Sequence, residues 1–304
     1  MIDRVVVVTK RTALEELLVR HHSRGQAAFF LERRGTTIEE LDRSHAAERS
    51  AVEVVARAIP RELPREVVPR HLLPNFLFRE RDLVIVIGPD GLVVNTAKYL
   101  DGQPILGVNA DVVRNDGVLV RFAPDAAARV LPAILRNEFR TDAITLGVAT
   151  TNDGQTLLAV NDFLVGRRDP ISARYTITHR GRTERQSSSG VLIATGVGST
   201  GWIRSVVTGA CAITGAAKPA LAIPFDWSAR LLRFAVREPF PSKATQTAIA
   251  FGEVAAGEEL ILASEMSEGG AIYSDGVVED AIEFNAGTTV RIGVAPKSAK
   301  LIRT

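Results

Sequence analysis

Hydrophobic and polar positions follow two different patterns along this chain. Up to about residue 125, short runs of β-branched and aliphatic residues alternate with longer segments that are apolar at every third or fourth position, the spacing of strands and amphipathic helices respectively. "VVVVT" at 5–9 reads as a strand, and Thr12 with Glu15 forms a capping-box signal for a helix after it. "AAFFLE" at 27–32 reads as a second strand, Thr36 with Glu39 repeats the capping signal, and "HAAERSAVEVVARAI" at 45–59 reads as a helix ended by Pro60. "RDLVIVIG" at 81–88 is a strand, "LVVNTAKYL" at 92–100 a helix, "PILGVN" at 104–109 a strand, and "PDAAARVLPAILRNEF" at 124–139 a helix. Strands and helices in alternation imply a parallel α/β sheet.

After residue 140 the pattern changes to short strand-like runs broken by Gly, Asp, Asn and Pro: "AITLGVAT", "QTLLAVNDFLVG", "ISARYTITHR", "GVLIAT" and "ELILAS". This is the signature of antiparallel β structure. The expected organisation is therefore an α/β domain over 1–140 and a mainly antiparallel β-domain over 141–304, with the last segment returning to the first domain.

Composition narrows the functional classes. The 304 residues carry 37 basic and 35 acidic side chains, a balance that gives no electrostatic reason to expect a nucleic-acid partner. The single cysteine, Cys211, excludes an internal disulfide and a thiolate metal cluster, fits a reducing compartment, and is expected to pack in the core. No apolar run has signal-peptide or membrane-spanning character, so a cytoplasmic protein without stable membrane association is expected. His21, His22, His45, His71 and His179 are scattered without metal-ligand spacing, and no structural metal is expected.

Three stretches carry candidate chemistry. Gly88-Pro89-Asp90-Gly91 follows the 81–88 strand at its carboxyl end, where ligands collect in α/β sheets. Its glycines allow a sharp turn and close approach of a ligand, and Asp90 could orient a hydroxyl or take its proton; an ordinary β-turn uses the same residues. Asn161-Asp162 interrupts an apolar strand with an amide beside a carboxylate, a pair suited to ribose hydroxyls, or else a bulge. "SSSGVLIATGVGSTGW" at 187–202 leads a strand into a turn containing Gly196, Gly198, Ser199, Thr200 and Gly201. Its amides and hydroxyls could meet phosphate or ribose, and Trp202 could stack on a base or pack in the core. Ser274-Asp275-Gly276 reads as a hairpin turn, with a second ligand-facing acid as the alternative.

Taken in order, these stretches resemble the NAD kinase family, whose superfamily includes lipid and sugar kinases. Gly-Pro-Asp-Gly resembles that family's Gly-Gly-Asp-Gly, Asn161-Asp162 its Asn-Glu/Asp pair, and "ATGVGSTGW" its "ATPTGSTAY". "PILGVNADVVRNDGVL", "ILRNEFR", "SSSG" and "AVREPF" are most similar to the mitochondrial-type branch. The resemblance implies an α/β N-terminal domain with a parallel Rossmann-like sheet and a mainly antiparallel β C-terminal domain. It also implies transfer of the γ-phosphoryl group of Mg²⁺-bound ATP to the 2′-hydroxyl of the adenosine ribose of NAD, in a homodimer.

Under the same resemblance Asp90 is the catalytic residue that orients or deprotonates the 2′-hydroxyl, and Gly88 and Gly91 make room for the phosphates of ATP. Asn161 and Asp162 hold ribose hydroxyls, while Ser199, Thr200, Gly201 and Trp202 line the dinucleotide pocket. Four positions depart from the family pattern, among them Trp202, which stands where the family has Tyr and keeps an aromatic face. Pro89 removes a backbone donor, Leu92 stands where the family has Thr, and Ser189 stands where most members have Asp and the mitochondrial-type branch has Ser. Pro89 and Leu92 motivate the alternative of a non-catalytic NAD-binding protein with a degenerate donor loop. A related kinase acting on another nucleotide, sugar or lipid hydroxyl is a further alternative.

Overall fold

The computed structural model describes residues 2–216 and 223–303, which form two compact units. The first contains residues 1–142 with 299–304, and the second residues 143–298.

In the first unit the chain runs β1 (Arg4–Thr9), α1 (Ala13–His21), α2 (Arg24–Glu32), α3 (Ile38–Ala58), β2 (Arg65–Pro69), β3 (Asp82–Ile87), α4 (Asp90–Ala97), β4 (Pro104–Val108) and α5 (Pro124–Leu135). The strands pair in the order β2-β1-β3-β4, all parallel. Val5 to Val8 and Leu83 to Ile87 are buried at every position, as befits strands covered on both faces. One face packs Val5, Val7, Leu83, Ile85 and Leu106 against Ala51 and Val55 of α3 and Leu131 and Ile134 of α5. Each such aliphatic side chain contributes about 1.5–3 kcal/mol by leaving water.

Two local expectations are corrected here. "AAFFLE" is helical, part of α2: Ala27 and Leu31, four residues apart, are buried beneath it, whereas Phe29 is exposed. A six-residue apolar run fits either period, and here Ser23 caps the helix by accepting a hydrogen bond from the Gln26 amide at 3.2 Å. The third helix starts one residue later than its capping signal, with Thr37 at the N-cap and no side-chain cap bond.

The second unit is built from β5 (Arg140–Thr151), β6 (Thr156–Ala159), β7 (Asp162–Arg167), β8 (Ala173–His179), β9 (Arg182–Ser188), β10 (Val191–Ala194), α6 (Trp202–Thr214), β11 (Leu231–Val236), β12 (Phe251–Ala255), β13 (Leu260–Ser264), β14 (Gly270–Ser274), β15 (Val277–Glu283) and β16 (Thr289–Arg303). β5 begins, and β16 ends, in residues that belong to the first unit, where Lys300 and Leu301 pair in parallel with β4. Six strands form an all-antiparallel sheet in the order β12-β11-β10-β7-β14-β15. β13 joins β16 and β8, and β8 joins β9, again antiparallel.

Phe163, Tyr175, Phe234 and Phe284 fill the core shared by these strands. The fully buried Tyr175 hydroxyl is satisfied by Ser188 Oγ at 2.7 Å, and burial raises its pKa. "QTLLAVNDFLVG" divides into β6 and β7, so Asn161 and Asp162 lie at a strand start. Cys211 lies half-buried on α6 and is not a core residue.

Candidate functional site

In the first unit the candidate chemistry sits at the carboxyl end of β3. Gly88 takes φ 154°, and a Cβ there would come within 3.1 Å of Leu92 Cδ2, so the turn depends on glycine and closes on a buried leucine. Pro89 is the N-cap of α4 and its carbonyl accepts from the Leu92 amide at 2.9 Å. Asp90 opens the helix, where a negative charge is favoured by the helix dipole. Its carboxylate is already engaged: Oδ2 accepts from the Val118 amide at 3.0 Å, and Oδ1 from Leu119 at 2.8 Å and Val120 at 2.9 Å. Asp90 thus ties the loop after β4 to the turn after β3. The same loop is folded on Asn109, which donates to the Asn115 carbonyl at 3.0 Å and accepts from the Asp111 amide at 3.1 Å. Gly91 lies at the second helical position and is exposed.

In the second unit the structure brings Asn161, Asp162 and the glycine-rich turn together. The Thr195 amide donates to the Asn161 carbonyl at 2.9 Å, and the Gly198 amide to Thr195 Oγ1 at 3.2 Å. A Cβ on Gly198 would lie 2.0 Å from the Asn161 carbonyl oxygen, so only glycine permits this approach. Asp275, read from sequence as a turn residue, is both a turn residue and a clamp. Its carboxylate accepts from the amides of Val160 at 3.1 Å, Asn161 at 2.6 Å and Asp162 at 3.3 Å, while its own amide donates to the Asp162 carbonyl at 2.9 Å. The signal for that role was the acid in Ser274-Asp275-Gly276, but its partners lie 113–115 residues away and no local pattern reports them.

The remaining candidates of the turn differ in what they offer. Ser199 is fully buried; its hydroxyl donates to the Gly196 carbonyl at 2.6 Å and accepts from the Phe225 amide at 3.1 Å, so it holds the turn. Thr200 and Gly201 are exposed, and Trp202 at the start of α6 is 40% exposed, with the Arg237 guanidinium 5.1 Å from its ring centre. The indole is therefore surface-facing and not a core residue.

Burial and the charge of Asp275 push the Asp162 carboxyl up to about 7. Between the ordinary carboxylate value and about 7, the folded chain keeps a proton that the unfolded chain has released, so stability falls as pH rises through that window and the penalty is complete above it. Asp162→Asn is accordingly expected to stabilise the protein by about 2–4 kcal/mol at pH 8 and to have little effect at pH 4, as measured by denaturant melts of both proteins at each pH. Destabilisation at pH 8 would show that the carboxylate is held by favourable contacts.

Comparison with known proteins places this architecture. No family model matches the chain. Among solved structures it superposes on an NAD kinase from Archaeoglobus fulgidus in complex with ATP, with TM-score 0.58 and 17% identity over 99% of this chain and 93% of that one. It also superposes on yeast NADH kinase complexed with NADH, with TM-score 0.65 and 12% identity over 99% and 83%. The fold is that of the NAD kinases. In sequence the chain is similar to the NAD kinase of Methylococcus capsulatus, 29% identical over 137 residues, covering 42% of this chain and 46% of that protein. A second NAD kinase, from Geobacter metallireducens, is 25% identical over 173 residues, covering 52% and 56%. The chain is thus an NAD kinase-like protein, a distant relative whose matched stretch spans about half the length of those enzymes.

Proposed function

We propose that this chain transfers the γ-phosphoryl group of Mg²⁺-bound ATP to the 2′-hydroxyl of the adenosine ribose of NAD. The reading is carried by the packing of the Gly196–Trp202 turn on Asn161-Asp162, which leaves Thr200, Gly201 and Trp202 exposed beside a carboxyl that titrates near neutrality. In this reading Asn161 and Asp162 hold ribose hydroxyls. A carboxyl half-protonated near pH 7 both donates and accepts, which suits a hydroxyl partner. Trp202 supplies a stacking surface, and Ser199 keeps the turn in shape.

Asp90 takes the proton of the 2′-hydroxyl as its oxygen forms a bond to the γ-phosphorus and the bond to ADP breaks. Gly88 and Gly91 leave space for the phosphates, and positioning with charge neutralisation supplies most of the catalysis. The mitochondrial-type branch, a homodimer and a cytoplasmic setting belong to the same proposal, on the motifs from 104 onward and the single cysteine.

One feature favours a second reading, a dinucleotide-binding protein without turnover. The Asp90 carboxylate is occupied by three amides, and Pro89 lacks the donor a glycine would bring. An assay with purified protein, Mg²⁺-ATP and NAD separates the two. NADP formation is the expected result; NAD binding by calorimetry without NADP, unrelieved by Pro89→Gly, would establish the binding protein instead.

A further inference from the structure

The end of α1, α2 and the two residues after it line an open concavity of about 480 Å³, formed by His21, Gln26, Phe29, Phe30, Arg33 and Arg34. Helical spacing lays each arginine on an aromatic ring four residues earlier: Arg33 Cζ is 4.7 Å from the centre of Phe29, and Arg34 Cζ 4.2 Å from that of Phe30. Such stacks occur on ordinary helix surfaces, but two further facts are particular to this one. The lining contains no carboxylate, and among the described residues neither Arg33 nor Arg34 has an ion-pair partner, whereas neighbouring Arg24 and Arg49 are paired with Asp42 and Glu15. His21, whose ring lies 4.4 Å from Phe30, keeps a buried Nε2 without a hydrogen-bond partner.

We propose that this concavity binds a planar aromatic oxyanion of the nucleoside monophosphate class, independently of the phosphotransfer site. Stacking holds the two guanidinium planes in place and leaves their N–H edges for the oxygens of a phosphate, which Arg recognises in a forked geometry. Phe29, 58% exposed, offers ring surface to a base. The volume lies in the range of small-molecule sites, roughly 300–1,000 Å³.

The test follows the His21 imidazole resonances, assigned by their loss in His21→Asn, during titration of the purified protein. AMP is expected to shift them saturably. Adenosine, ribose 5-phosphate and inorganic phosphate are each expected to bind at least about tenfold more weakly, and the exposed double variant Arg33→Ala/Arg34→Ala should lose at least about tenfold in AMP affinity with an unchanged melting temperature. No AMP-dependent shift, an equal affinity in the double variant, or phosphate binding as tightly as AMP would each overturn the proposal. A His21 shift of equal affinity in the double variant would report AMP bound elsewhere on the chain, and the presence or absence of NADP formation does not enter the readout.

Discussion

Asp90→Asn is expected to lower NADP formation at least about a hundredfold while calorimetric NAD affinity stays within a few-fold of the parent. The carboxamide cannot take the proton of the 2′-hydroxyl, so the chemical step loses its base. The substitution also has a structural cost that geometry lets one separate. An asparagine oxygen in the place of Oδ1 keeps the Leu119 and Val120 amides, but its NH₂ group then faces the Val118 amide, donor against donor. Losing that one bond costs about 1–3 kcal/mol, a change in melting temperature that is visible but leaves the chain folded. Asp90→Ala removes both acceptor oxygens, and with them all three hydrogen bonds, and should destabilise more than Asp90→Asn with a similar loss of turnover. If turnover instead tracks the stability of the two variants, Asp90 acts by holding the loop of residues 118–120, and the base lies elsewhere.

How far this architecture could be read from sequence depended on the range of the interactions involved. β1, β3 and β4 were legible because each is a run of β-branched or aliphatic residues buried on both faces. Residues 27–32 were not, because a run so short carries no period of its own, and the distinguishing contact is a side-chain cap at Ser23, four residues before the run begins. The fifteen-residue β16 mixes Pro296, Lys297 and Lys300 into its apolar positions and pairs with both β13 and the distant β4. The glycine-rich turn and the Asn161-Asp162 pair were visible as motifs, and their proximity follows from β10 pairing with β7, which sets Ala194 opposite Asp162. The partners of the acids were invisible: Asp90 bonds 28–30 residues ahead, and Asp275 closes a loop of more than a hundred. Local patterns report which side chains are apolar and where the backbone turns. They do not report which carboxylate is left over for a ligand.

Asp82 illustrates the same limit from the opposite end of β3. Asp82→Ala is expected to destabilise the protein by about 3–5 kcal/mol, roughly 10 °C in melting temperature, with no specific effect on nucleotide binding in the folded protein. The carboxylate is 1% exposed and receives Arg4 through Nε at 2.8 Å and Nη2 at 2.6 Å, and it also accepts from the Arg79 amide at 2.7 Å. This fork joins the amino ends of the neighbouring strands β1 and β3, where Arg4 and Asp82 are register partners. The hydrogen bond that Arg4 donates to Asp82 is the foremost cause of its raised pKa, and the guanidinium stays charged even without it because its ordinary pKa lies far above neutrality. Among the described residues Glu66, 46% exposed, then remains as its ion-pair partner, and the Leu77 carbonyl at 3.1 Å as a neutral acceptor. A buried cation without its main counterion is costlier than the pair was favourable. Replacing both, as in Arg4→Met/Asp82→Leu, should therefore recover most of the loss, and urea melts of the two variants measure the difference. A loss below about 1 kcal/mol in Asp82→Ala, or a double variant no more stable than the single one, would mean that the strands are aligned by their apolar faces alone.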